Sequence, residues 1–470
     1  MGKFIVMDIV FYASSLNYDQ GSGNYQELKK ITKWDGKQYT FVSRYALRYS
    51  LLETGRKLGL WEVAGAKELL PEKNQQVVQP SEDLLLSGKI LEYPEFDLFG
   101  YLITSTQPQN FREAPVKISH AVSLTPFNYD ALFNANIGLA NRIRKHQGEM
   151  SPNPFTSEEH FTFYQYSLVI DVDRLGDIEV YLSKTYKENK QTAKIKEFKI
   201  DEVNTEKKII KFNIKYGKLK KFFFEVSYDE NKESTESEEN KNKENIILKN
   251  VTIPLSKSDK DVFLSKDESI KSLFNFDENL EVVIVKYKVT NVISRIKNFI
   301  KAVLNLHRSI KSRDEDLSPK LLILGLYENE PYKTYKDKIV LKDEYTEEEY
   351  DEILEKEENG KIIRKVIHKV SKSKKPVFEV IGNNFECIPI SKIEEKISGF
   401  IEKEEHNSSG QKSKKNNLNK HELQNSKEPS TEKSSENEQL KYSKVYLAHS
   451  PEIKVKFDKV EDSNEARNSE

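Results

Sequence analysis

Continuous and alternating apolar runs divide this chain into strands and amphipathic helices, separated by stretches that carry almost no apolar side chains. Residues 3–12, KFIVMDIVFY, predict a strand buried on both faces, with Ile5, Met7, Ile9 and Phe11 on one side and Phe4, Val6, Asp8, Val10 and Tyr12 on the other. A helix is predicted from Ser43 to about Leu58, with Ser43 at its N-cap. DLFGYLIT (97–104) reads as a buried strand, and HFTFYQYSLVIDVDRLG (160–176) as a stronger one stopped by glycine. After the strand EVVIVKYKV (281–289), residues 292–310 show the clearest helical period in the chain. Val292, Ile293, Ile296, Phe299, Ile300, Val303, Leu304, Leu306 and Ile310 fall on one broad face there. The strand LLILGLY (321–327) follows.

The intervening stretches read differently. Residues 60–96 look like an irregular insertion, and 178–275 carry short β-like pieces around the charged run 229–245. That run and 403–440 cannot offset their ordering entropy by burial and are expected to be disordered. Residues 335–400 read as an α+β extension, and 444–457 as a small docked strand pair. Without the insertions the order is strand, helix, strands, then strand, helix, strand. This is the order of an α+β, ferredoxin-like (split βαβ) fold of the kind used by RNA-recognition modules, with helices on one sheet face and the other left open.

Composition narrows the partners. With 32% charged residues but a formal net charge of -1, the chain is no uniformly basic protein, so any anion site must come from local clustering. Aromatic residues reach 10%, which suits strands and base stacking alike. The single cysteine, Cys387, implies a reducing, cytoplasmic setting, and no Cys/His cluster is present to hold zinc. The opening MGKFIVMDIV is expected to be neither a signal peptide, since Asp8 interrupts it, nor a myristoylation site, since Val6 stands where Ser or Thr is needed. No run approaches the roughly 20 apolar residues of a membrane span.

No phosphate-binding loop, dinucleotide fingerprint or zinc-protease motif occurs. Cys387 is expected to be a small buried hydrophobe and His307 a core residue of the 292–310 helix. Asp171 and Asp173 either hold a metal or pair with Arg174 or a lysine, and Asp8 is expected to pair internally with an arginine. DQGSGN (19–24), followed by Lys29, Lys30 and Lys33, is either a flexible loop or a phosphate cradle. Arg44 and Arg48 stack one helical turn apart on a face shared with Leu47, Leu51 and Leu52. They either pair with Asp8 or Asp97 inside the fold or form a fork aimed at phosphates. The segment FREAPVKISHAVSLTPFNYDALFNANIGLANRIRKH (111–146) crowds Arg112, Lys117, Arg142 and Arg144 with Asn134, Asn136 and Asn141 and the rings of Phe127, Tyr129 and Phe133. Single-stranded nucleic acid needs that mixture; a packed loop with a solvated basic rim would show it too.

DLFGYL (97–102), REAPVKISHAVSLTPF (112–127) and FNANIG (133–138), preceded by KFIVMDIVFY and SRYALRYSLLE, resemble the DevR-type backbone subunit (RAMP superfamily) of type I-B CRISPR Cascade. The resemblance covers about residues 1–175 and extends over 281–327. It implies a ferredoxin-like palm with inserted finger-like and thumb-like elements, several copies of which polymerise along one CRISPR RNA and present it to target DNA. It also implies the other Cascade subunits as partners: a large subunit, a subunit binding the guide 5' end and the guide-processing endoribonuclease. No membrane, cofactor, metal or catalytic step is implied. Laid on this chain, it divides into palm segments at 1–59, 97–177 and 281–330, a finger-like insertion at 60–96 and a thumb-like one at 178–280. An extension (331–402), a disordered stretch (403–443) and a tail (444–470) follow. The residues carried over as RNA-binding are Ser43, Arg44, Arg48, Arg112, Lys117, Ser119 and Asn136, and Arg142 joins them from the basic segment. A type III-like endoribonuclease using Asp19 or Asp35, and a DNA-binding regulator, remain as alternatives.

Overall fold

The opening apolar run forms β1 (Lys3–Ser14), and its place in the middle of a nine-stranded sheet explains why both its faces are apolar. The computed structural model describes residues 2–69, 77–148, 152–228, 245–256, 262–263, 268–342, 346–358, 361–373, 375–382, 384–402 and 441–457. From β1 the chain runs through α1 (Arg44–Lys57) to β2 (Ala121–Ser123), then into an arm carrying α2 (Ile137–Gln147). It returns along β3 (Phe161–Asp171) and passes through α3 (Val292–Leu304) to β4 (Leu321–Glu328). The sheet sets these strands in the order β4, β1, β3, β2, each antiparallel to its neighbour. Gln38–Val42 and Lys30–Thr32 extend it beyond β2, and Tyr442–His449 and Glu386–Cys387 beyond β4. The fold is mixed α/β. No helix among the described residues is long and apolar enough to cross a membrane.

One face of the sheet is buried by the helices. Ile5, Met7, Ile9 and Phe11 pack with Leu47 and Leu51 of α1 and with Ile296, Phe299 and Val303 of α3. At roughly 1.5–3 kcal/mol per fully buried large apolar side chain, this layer is a principal source of the fold's stability. The other face, expected to be open, is covered. Val10, Phe163, Leu321 and Ile323 pack under Ile339, Phe378 and Val380, from a small sheet of Ile339–Lys342, Val377–Val380 and Lys454–Phe457. Asp8 lies under the segment that leads there. It accepts the Tyr335 N–H at 2.7 Å and the Ser167 hydroxyl, and not an arginine as expected; burial raises its carboxyl above the ordinary range.

Other expectations are corrected by partners distant in sequence. The predicted strand at 97–104 is a short helix, Pro94–Phe99, with proline in its first turn and Gly100 (φ 72°) ending it, followed by the strand Tyr101–Ile103. The long helix stops at Leu304. His307–Ile310 forms a strand paired with Arg313–Asp316 across a left-handed turn at Lys311 and Ser312. The His307 N–H is tied to Thr54 Oγ1 of α1 at 3.2 Å, so His307 is no core residue but an exposed one facing Asp314 at 3.2 Å. Cys387 is exposed rather than buried. The tail strands do not pair with each other: Tyr442–His449 joins β4, and Lys454–Phe457 joins Val377–Val380. The first of these begins inside the stretch expected to be disordered; residues 229–244 and 403–440 lie outside the described residues.

A second apolar core gathers Ile178, Val180, Phe198, Phe212, Val251, Val285 and Tyr287 from strands between Asp177 and Val289. Leu84, Leu85, Ile90 and Leu91, from the irregular insertion, belong to it as well. The helix Pro94–Phe99 bridges the cores, with Phe96 in the second and Leu98 and Phe99 in the first. Asp97 lies fully buried between them. Its carboxylate meets Arg112 Nη2 at 2.5 Å, Arg295 Nη1 at 2.8 Å and the Gly176 N–H at 3.0 Å. Buried acids need such complete pairing.

Candidate nucleic-acid interface

The start of α1 builds a groove from local and distant parts. Ser43 caps the helix as its residue type predicts: its Oγ accepts the Ala46 N–H at 3.2 Å, while its own N–H donates to Asn17 Oδ1 at 2.9 Å. His120, just before β2, accepts the Arg44 N–H through Nδ1 at 2.9 Å. Burial first, then the cations Arg44 and Lys336, hold its imidazole below the ordinary value, which keeps that nitrogen free to accept. With its N–H groups engaged in this way, the helix end offers an anion little backbone. The side chains of Arg44 and Arg48 offer more.

Arg44 lies 5.1 Å from the centre of the Tyr45 ring and donates to its hydroxyl at 3.1 Å. Arg48 sits 4.8 Å above the ring of Phe99, partly withdrawn from water, and burial lowers its pKa from the ordinary value. Among the described residues neither arginine has a carboxylate within ion-pair distance. The internal acids weighed as their partners are otherwise engaged, Asp97 by Arg112 and Arg295 and Asp8 by Ser167 and Tyr335. Val116 and Ile118 form the opposite wall of a groove of about 380 Å³, and Lys117 stands on its rim, paired at 3.1 Å with the exposed Glu113. The groove therefore holds cations stacked on aromatic faces, with Glu95 within electrostatic reach of Arg48 but not ion-paired to it.

The remaining expected residues divide by position. Arg112 turns inward: besides Asp97, its guanidinium bonds the carbonyls of Asp177 and Arg174, so its hydrogen-bonding groups are engaged within the fold. Ser119 Oγ accepts the Ser167 N–H at 2.9 Å and donates to the His120 carbonyl at 3.0 Å, holding the strand edge beneath the groove. Asn136 and Arg142 lie on the arm. Asn136 caps α2 through the Leu139 N–H at 3.3 Å, and Arg142 is exposed on that helix. Tyr129 and Phe133 of the arm are 74% and 72% exposed, whereas Phe127, the third ring expected to stack, is half-buried against His160 and Lys30. Trp34, at the tip of the turn 33–37, is 97% exposed and was not signalled by any pattern. Tyr45 was legible only as a neighbour of Arg44, and Lys336 reaches His120 from a distant segment with no sequence signal at all.

Two of the three lysines that follow the glycine loop are ion-paired, and the third lies over a ring. Lys29 pairs with Asp19 at 3.5 Å, Lys30 with Glu158 at 2.7 Å, and Lys33 Nζ lies 4.0 Å above the Tyr39 ring. Asp35 accepts the Tyr39 hydroxyl at 2.7 Å and the Lys37 N–H at 3.0 Å. Asp173 receives the Lys3 N–H at 2.9 Å, while Arg174 pairs with Glu113 at 3.1 Å rather than with Asp171 or Asp173. Among the described residues no cluster of three His, Cys, Asp or Glu is arranged to hold a metal ion.

Residues 5–350 match the family described as CRISPR-associated negative auto-regulator DevR/Csa2. A curated relative, CRISPR-associated protein Cas7/Cst2/DevR of Myxococcus xanthus (strain DK1622), is 29% identical over 162 residues, 33% of this chain and 52% of the relative. The chain thus spans about half the length of that protein. Among solved structures, a chain of a pre-nicking CRISPR RNA-guided surveillance complex is similar at a TM-score of 0.34 and 10% identity, covering 70% of this chain and 80% of that one. A chain of another CRISPR RNA-guided surveillance complex is similar at 0.30 and 9%, covering 70% and 72%.

Proposed function

This chain belongs to the DevR/Csa2 family of CRISPR-associated proteins, and on that premise we propose that it is a non-catalytic, guide-RNA-binding backbone subunit. Copies polymerise along a CRISPR RNA in a cytoplasmic type I-B Cascade and present the guide for pairing with target DNA. The other Cascade subunits are its further partners: the large subunit, the guide 5'-end-binding subunit and the guide-processing endoribonuclease. We read the β4, β1, β3, β2 sheet with α1 and α3 as its ferredoxin-like palm.

The observation that carries the reading is the groove at the start of α1. Among the described residues Arg44 and Arg48 have no carboxylate within ion-pair distance, and each lies against an aromatic ring. A phosphate backbone passing over them would supply the missing anions. Because the second sheet face is covered, RNA is gripped at the helix-start groove and arm, not across an open sheet. Arg44→Gln and Arg48→Gln should each flatten the dependence of log K on log salt for guide RNA by about 0.7, the single-strand increment per phosphate. An unchanged slope in both variants would place the RNA elsewhere.

The absence of catalysis is part of the proposal. Asp19 and Asp35, the loop acids a ribonuclease would use, are engaged by Lys29 and by Tyr39. The assembled complex, given complementary RNA with magnesium or manganese, should leave it intact. Cleavage at regular intervals, abolished by Asp19→Ala or Asp35→Ala, would make the chain an endoribonuclease.

A further inference from the structure

The strands Lys30–Thr32 and Gln38–Val42, at the outer edge of the nine-stranded sheet, are joined by the turn 33–37, which holds Trp34 almost wholly in water. The indole makes no hydrogen bond or ring contact with any described residue. The turn beneath it is nevertheless well fixed. The Lys33 N–H donates to the Lys37 carbonyl at 3.1 Å and the Gly36 N–H to the Lys33 carbonyl at 3.0 Å, with Gly36 at φ 74°. Asp35 ties the same turn to the Lys37 N–H and to the hydroxyl of the buried Tyr39. A single exposed aliphatic side chain is ordinary on a protein surface. An indole is different: aromatic side chains bury roughly 150–250 Å² each when they find a partner, and this one is held out rigidly without one.

The position of the turn suggests the partner. Gln38–Val42 runs from it directly to Ser43 and the groove at the start of α1. Five residues of strand separate the two by about 17 Å, the length of roughly five stacked nucleotides at 3.4 Å each. Lys336, from the segment that leads into the covering sheet, links them electrostatically. It is exposed and lies within electrostatic reach of His120 on the groove side and of Lys33 on the turn side. Among the described residues Lys336 has no carboxylate within ion-pair distance. The acids that face Lys33 are Asp337 and Asp35. Arg44 and Lys336 are thus the two cations on this path without an ion pair, and Trp34 stands at its end.

We propose that Trp34 is a stacking platform for an unpaired base of the nucleic-acid strand that occupies the groove, the strand's backbone reaching it past Lys336. The inference rests on the guide-RNA reading and adds a second, aromatic subsite to it. Every base has a π-face, so stacking on an indole is tolerant of sequence, which a strand whose sequence varies from guide to guide requires. Backbone charge on Lys336 and a ring at the end of the path are the two components by which proteins hold single strands without reading them. The cations leading to the ring favour a nucleic acid over a protein surface as its partner.

Fluorescence tests this directly, because the chain has only two tryptophans. Trp61 is half-buried against Gly55 and donates Nε1–H to the Leu52 carbonyl at 3.1 Å, so Trp61→Phe leaves Trp34 as the one indole. In the full-length Trp61→Phe chain, a synthetic single-stranded RNA of mixed sequence should quench the Trp34 emission and shield it from iodide. If that variant fails to fold, the difference between wild type and Trp34→Phe gives the same reading. Trp34→Ala should weaken RNA binding roughly tenfold, whereas Trp34→Phe, which keeps a ring, should stay within about threefold of wild type. Neither should move the melting transition, since the ring touches nothing in the fold. Lys336→Gln should flatten the dependence of log K on log salt by about 0.7. Quenching by the RNA alone assigns the stacked base to the guide; quenching only after complementary DNA is added assigns it to the target strand, and either supports the platform. Emission unchanged by RNA that the wild type binds, or a Trp34→Ala chain that binds like wild type, would overturn the proposal. The groove reading, which depends on the Arg44 and Arg48 slopes, would then still stand; a wild type that binds no RNA would overturn both. An emission shift on concentrating the RNA-free chain, with none on adding RNA, would make Trp34 a protein contact, and the proposal would equally fall.

Discussion

Replacing Asp97 by asparagine should cost this protein a large part of its stability, although the substitution hardly changes shape. The carboxylate is fully buried and answers Arg112 and Arg295, whose side chains are 10% and 3% exposed, as well as the Gly176 N–H. Without its charge, guanidinium groups from β-strand and helix lose a buried counter-ion that both of them share. Breaking one partner out of such a buried set costs about 3–5 kcal/mol, against a total stability of roughly 5–15 kcal/mol. At about 2–4 °C per kcal/mol for a folding unit of this kind, the melting transition should fall by roughly 6–20 °C. Because Asp97 joins the two apolar cores, near-ultraviolet circular dichroism should report the loss together with calorimetry. Arg112→Gln should lower the transition as well and leave the salt dependence of RNA binding unchanged. A fall of less than about 2 °C in Asp97→Asn would refute the reasoning, as would an Arg112→Gln variant that melts like wild type but loses salt dependence.

Two further outcomes are expected. His160, bonded to Thr40 at 2.7 Å, and His120 are held below the ordinary histidine value mainly by burial. The unfolded chain therefore binds protons that the folded one does not. Their contribution to stability is complete above about pH 6.5 and is lost as pH falls through the folded values, so His160→Gln should melt with a shallower decline than wild type between pH 7 and 5; parallel declines would show that His160 is not coupled to folding. Cys387, the single cysteine, is exposed, so a thiol reagent should titrate it fully without denaturant. Protection until unfolding would place it inside after all.

Where local pattern suffices, the sequence alone determined this protein's structure. The double apolar period of β1, the helix after Ser43 and the strand preceding Gly176 follow from residues that are neighbours in the chain. The motif strings that mark the family are likewise contiguous. The partners of its charged groups were decided only in the tertiary structure. Asp97 looked like a strand residue and Arg112 like a phosphate contact until Arg295, from a helix far along the chain, completed their buried cluster. Arg44 and Arg48 looked no different in sequence, yet with Asp8 and Asp97 already engaged they are left without a carboxylate at ion-pair distance among the described residues. The second face of β1 was apolar in either case, but whether it would lie open or be roofed depended on a segment more than 300 residues away. Periodicity records which side of an element avoids water. It does not record which distant element will cover that side, because burial and ion pairing depend on where the rest of the chain is packed.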